Sequence, residues 1–121
     1  MTDLDWPTEA GVQRPEPYQI HRDDGANVSL VYQDQDINVV VWNLLPGQET
    51  DSHKHPENAH TFIILTGSGE YFREQDPAVA IKAGDFVIIP RETVHLIRNT
   101  GSAPMSYLAV SSVGPHGYSR A

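Results

Sequence analysis

The sequence predicts a small all-β barrel, and three observations carry that expectation. Short runs rich in Val, Ile, Phe and Tyr recur from about residue 28 onward, Gly, Pro, Asn and Asp punctuate them every eight to twelve residues or so, and no segment sustains a helical period. At 121 residues the chain is the size of one domain and can bury a core without covalent staples.

Residues 1–26 read as an extended N-terminal arm. Pro7, Pro15 and Pro17, interspersed with Asp3, Asp5, Glu9, Asp23 and Asp24, break any regular period. Its apolar members Trp6, Val12, Tyr18 and Ile20 are expected to pack on the barrel's flank or on a partner subunit. The barrel is expected over 27–113, with strands at 28–33, 37–45, 51–56, 60–66, 69–74, 78–82, 85–89, 93–98 and 104–112. Turns fall at Gly67-Ser68-Gly69, Ala83-Gly84-Asp85 and Asn99-Thr100-Gly101-Ser102, where glycine reaches positive φ and Asn or Asp bonds its own backbone. A short C-terminal tail, 114–121, closes the chain, and no internal repeat stands out.

Composition excludes several functions. Sixteen acidic residues against eight basic ones give a formal charge of −8, which repels a phosphate backbone and an anionic membrane surface alike. With no cysteine there is no disulfide framework, no thiolate zinc site and no cysteine nucleophile, so any metal must be held by nitrogen and oxygen. The first residues, MTDLDWPTEA, lack the basic and apolar regions of a signal peptide, and no apolar run reaches the length of a membrane span. The expectation is a cytoplasmic protein with a small-molecule ligand.

Four of the six histidines have spacings that let their rings converge. In a strand, His53 and His55 face the same side with Cα atoms roughly 6.5–7 Å apart, a gap that one ion can bridge. His60 follows the bend Pro56-Glu57-Asn58-Ala59 on a returning strand, and His95 arrives from a separate one. A barrel interior is where inward positions of several strands meet.

The frame around these histidines resembles the two motifs of the cupin superfamily. The first, G-x5-H-x-H-x3,4-E-x6-G, is met by Gly47, His53, His55 and Gly67, with His60 where the family usually has glutamate. The second, G-x5-P-x-G-x2-H-x3-N, is met by Gly84, Pro90, His95 and Asn99, with Glu92 in place of the inner glycine. The resemblance implies a small single-domain cupin, a double-stranded β-helix or jelly-roll barrel, binding one divalent transition-metal ion through His53, His55, His60 and His95. Cupins are often dimeric, so a homodimer is expected as well. Glu92 lacks glycine's freedom at positive φ, so the turn before His95 must differ or strain the backbone.

Four neutral imidazoles would leave a divalent ion at a formal +2, where three imidazoles and a carboxylate leave +1. The site is then the stronger Lewis acid, favours anionic or chelating oxygen ligands, and disfavours a trivalent metal. Imidazole suits zinc, nickel or iron(II); a competing reading makes His60 a pocket base beside three ligands. Asp51, Glu57 and Asn58 are candidate acceptors for the outer N–H groups of the ligands.

If His60 faces inward, Phe62 and Ile64 follow it, and His95 brings Ile97. Trp42, Tyr71, Arg73, Phe86 and Tyr107 are further candidate wall residues. Tyr71 and Arg73 are the candidate catalytic groups, able to orient an oxygen anion. His21 and His116 are expected to be solvated. The resemblance to small cupins implies an enzyme acting on a small oxygenated or enolisable substrate by Lewis-acid and proton-transfer chemistry, of isomerase, lyase or cyclase type. Two alternatives are a histidine-only dioxygenase and a non-catalytic ligand-binding or sensor cupin. A purely structural metal site is disfavoured, because structural zinc in small domains leans on cysteine.

Overall fold

The computed structural model describes residues 10–50 and 59–112. Among these residues eight strands follow a 3-10 turn at Glu16–Tyr18: β1 (Asn27–Gln33), β2 (Ile37–Leu44), β3 (His60–Thr66), β4 (Ser68–Arg73), β5 (Val79–Lys82), β6 (Phe86–Ile89), β7 (His95–Arg98) and β8 (Met105–Ser112). They coincide, within two residues at each end, with eight of the nine strands expected from sequence. The ninth, 51–56, lies outside the described residues.

Two antiparallel sheets face each other. The larger has the order β1-β2-β8-β3-β6 and the smaller β5-β4-β7. Burial alternates along β3, β6, β7 and most of β8, and inward side chains from both sheets meet as one core of Leu44, Phe62, Ile64, Ile81, Val87, Ile89, Ile97, Met105, Tyr107 and Ala109. Large side chains of this kind stabilise by about 1.5–3 kcal/mol each when fully buried. Trp42 and Tyr71 pack against that core while remaining partly exposed.

The phase of β6 corrects one expectation. Its burial alternates with Val87 and Ile89 inside, which places Phe86, 72% exposed, on the outer face rather than in the pocket wall. The reason lies in register: Phe86 pairs with Ile63, an outward residue of β3, while Val87 pairs with the inward Phe62.

Residues 18–22 of the arm are held to the barrel by side chains rather than by a backbone ladder. Asn43 Nδ2 donates to the Tyr18 carbonyl at 3.0 Å, Asn27 Nδ2 to Ile20 at 2.7 Å, and Gln48 Nε2 to Arg22 at 2.8 Å. His21 Nε2 donates to the Met105 carbonyl at 3.0 Å, so this histidine is partly buried and bonded, not solvated as expected. Arm and larger sheet enclose a groove of about 480 Å³ on the outer face, lined by Pro15, Tyr18, Val31, Val39, Val41 and Leu108 among others. No helix among the described residues is long and apolar enough to cross a membrane.

The β3–β4 turn depends on glycine. Gly67 has φ +79°, and a Cβ there would meet the Pro104 carbonyl at 2.6 Å and Met105 Cβ at 2.7 Å. Strain in the left-handed region and contact with backbone act together. Gly67→Ala is expected to destabilise the protein by about 2 kcal/mol or more, read as a lowered urea midpoint with an unchanged m-value.

Candidate functional site

His60 opens β3 and His95 opens β7, so one belongs to each sheet. Their registers put them at the same end of the barrel: His60 lies opposite Ile89, the last residue of β6, and His95 lies opposite Arg73, the last of β4. The two rings face each other across the interior with centroids 5.8 Å apart. Phe62 sits against both, 6.0 Å from His60 and 5.9 Å from His95, and Tyr107 packs on Phe62 at 4.7 Å.

The geometry suits nitrogen ligation. With metal–nitrogen bonds near 2.1 Å, two imidazoles on one tetrahedral ion hold their centroids roughly 5 Å apart, close to the observed separation. His95 Nδ1 lies 2.9 Å from the Thr93 carbonyl, which can only accept. In the neutral ring Nδ1 therefore carries the proton and Nε2 the lone pair, the tautomer a metal requires. Nε2 of His95 and Nε2 of His60 are both sealed from solvent. The partner that orients His95 is thus a main-chain carbonyl two residues upstream, not a nearby carboxylate.

Among the described residues no group of three or more His, Asp, Glu or Cys side chains forms a metal cluster. His53 and His55 lie outside those residues, as do Asp51, Glu57, Asn58 and His116. The structure therefore brings together two of the four expected ligands and describes no position for the other two.

Phe62, Ile64, Ile97 and Tyr107 are buried in the core between the sheets. Burial pushes the Tyr107 phenol far above its usual range, with a hydrogen bond from Thr50 acting in the opposite direction. It is a neutral wall group. Thr50 Oγ1 also accepts from the Ile97 amide at 3.1 Å, which ties β7 to the segment entering the 51–58 stretch. Tyr71 is half-buried, with its hydroxyl sealed and without a hydrogen-bond partner among the described residues. Burial raises its phenol above the ordinary value; the Arg73 charge opposes that shift, while Asp76 and Glu74 add to it. Ser111 was missed at the sequence level. It is buried, directly opposite His60 on β8, and continues the inward phase of Tyr107 and Ala109, a signal that alternation along β8 would have supplied.

Other motif residues serve the backbone. Gly47 donates its amide to the Asn99 carbonyl at 2.8 Å, and the Asn99 amide donates to Gln48 at 2.9 Å. The buried Asn99 side chain donates to Leu44 and Ala103 carbonyls at 2.8 and 2.9 Å and accepts from Gly101.

With the barrel and its paired histidines in view, comparison with known proteins settles the class. The cupin domain family matches residues 40–111, more than half of the chain. The chain belongs to the cupin family. It is 37% identical over 67 residues to the oxalate-binding protein of Thermotoga maritima, an alignment covering 55% of this chain and 54% of that one. The curated relatives it matches are covered over about half of their length or less. Among solved structures, a conserved Klebsiella pneumoniae protein with a double-stranded β-helix domain shares 31% identity at TM-score 0.83, covering 92% of this chain and 96% of that one. A predicted oxalate decarboxylase from Thermotoga maritima shares 26% identity at TM-score 0.67, over 72% and 79% of the two chains.

This cupin departs from its family's second motif at Glu92, which takes φ +64°. The turn that delivers His95 is kept and the backbone bears the strain. Left-handed φ costs a non-glycine residue roughly 1–2 kcal/mol, so Glu92→Gly is expected to raise stability by about 1 kcal/mol, measured as a higher urea midpoint.

Proposed function

We propose that this cupin binds one divalent transition-metal ion, zinc, nickel or iron(II), through His53, His55, His60 and His95. In this reading it is an enzyme acting on a small oxygenated or enolisable substrate, of isomerase, lyase or cyclase type. The observation that carries the reading is the facing of His60 and His95, sealed at Nε2, with the His95 tautomer set by Thr93. When bound, the ion supplies Lewis acidity toward substrate oxygens. The chain supplies an apolar wall of Phe62, Ile64 and Ile97 that excludes water and strengthens electrostatic contacts inside it. Binding without catalysis is the second reading, favoured by the likeness to a protein named for binding oxalate.

Protein purified without added metal is expected to carry about one transition-metal ion per chain by plasma mass spectrometry. His95→Ala is expected to lower zinc affinity at least about 100-fold, since loss of an outer partner alone costs about 10–100-fold. His60→Glu lowers the formal charge of the loaded site from +2 to +1, and is expected to shift preference from zinc toward manganese. Loss of metal-binding on neither variant would refute the assignment.

A homodimer belongs to the same proposal. Among the described residues β6 is the edge strand of the larger sheet, and it presents Phe86 and Ile88, 72% and 64% exposed. Such an edge is a template for a second copy. Light scattering is expected to give twice the 13.4 kDa chain mass, and Phe86→Lys with Ile88→Lys is expected to give the monomer.

A further inference from the structure

The smaller sheet places an arginine and a tyrosine beside the histidine pair in a way that the metal reading does not use. Arg73 is the direct cross-strand partner of the buried His95, and Tyr71 is the partner of Ile97, so both share the inward face of β4. Directly opposed residues have Cβ atoms about 4.5–5.5 Å apart, and diagonal ones lie about 7–8 Å apart. Arg73 and Tyr71 are therefore the direct and diagonal neighbours of His95 on the β4 side of β7.

Their bonding state is unusual for this chain. Of the Lys and Arg residues on the described strands, Arg73, Lys82 and Arg98, only Arg73 shares the phase of an inward position. Arg98 is paired with Glu49 at 2.6 Å and Lys82 with Asp85 at 4.0 Å. Arg73 has no carboxylate partner among the described residues, in a chain with a net charge of −8. It is exposed at the barrel end and thus open to an incoming ligand. Two residues along, the Tyr71 hydroxyl is sealed from water with no partner among the described residues, an arrangement that costs about 1–3 kcal/mol unless an acceptor arrives. The Arg73 charge is felt at that hydroxyl, so the two donors act on one neighbourhood.

We propose that Arg73 and the Tyr71 hydroxyl form a carboxylate-binding wall beside the imidazoles, making the substrate class a small organic acid. The assignment deepens the proposed function and rests on His95 marking the centre of that site. A planar guanidinium fork matches the two oxygens of a carboxylate, and the phenol supplies one further donor. A phosphate ester fits less well. Among the described residues a single arginine, with no lysine on the inward face and no helix N-terminus, has little to offset a dianion, while Glu74, Asp76 and Glu92 stand in the adjoining loops. Arg73 and Tyr71 hold and orient the ligand; neither is assigned a bond-breaking step.

The test is calorimetric titration of the zinc-loaded protein with oxalate, pyruvate and malonate, each against its neutral amide, with retained zinc measured alongside. At least one acid is expected to bind ten-fold or more tighter than its amide. Arg73→Gln should weaken that acid at least ten-fold, Arg73→Lys should recover part of the loss, and Tyr71→Phe should weaken it about five-fold. Zinc affinity should stay within two-fold of wild type in all three. Acid affinity unchanged in Arg73→Gln, amides bound as well as acids, or no acid bound by wild type would each overturn the proposal. Should wild type take up no zinc, the metal reading fails alone. The same titrations on metal-free protein then decide the carboxylate wall, by the same dependence on Arg73.

Discussion

Two sheets have to close on each other with their inward side chains in phase, and His60 and His95 are where that packing constraint reaches the chemistry. The phase of β3 is fixed from both sides, by β8 and by β6. A slip of one residue would turn His60, Phe62 and Ile64 outward together and bring Thr61 and Ile63 in. The position of an imidazole is thus enforced by the burial of the hydrocarbons that follow it. The same holds on β7, where Ile97 is fully buried two residues beyond His95.

Polar groups buried at strand ends supply what apolar packing cannot. Asn99 bonds three residues through one side chain, Thr50 joins the Ile97 amide to Tyr107, and Ser106 donates to Asn43 at 2.8 Å while Asn43 reaches the arm. Each is satisfied, as a buried polar group must be to avoid a desolvation penalty. The family motif therefore mixes two kinds of position. Gly47, Gly67 and Asn99 shape the main chain, and the histidines carry donors.

Much of this was legible in the sequence because the relevant signals are local. Alternation of apolar residues and the punctuation by Gly and Asn give the strands, and the same alternation puts His60, Phe62 and Ile64 on one face. Phe86 was misread because its phase is set by pairing with Ile63, a long-range fact that a four-residue strand cannot declare. His21 was misread for the same reason, since its acceptor is 84 residues away. At Glu92 the sequence posed a choice between a new turn and a strained one, and only backbone geometry resolved it. The stretch carrying His53 and His55 lies outside the described residues, so the full donor set stands on motif spacing alone.

The arm's attachment separates path from sequence. Asn27, Asn43 and Gln48, all in the barrel or its loops, donate to carbonyls of Tyr18, Ile20 and Arg22, and every residue type owns a carbonyl. The instructions for laying down this segment are therefore written in the body it lies on. Side chains along 18–22 are left free to diversify without losing their track, apart from His21, whose own ring forms a clasp.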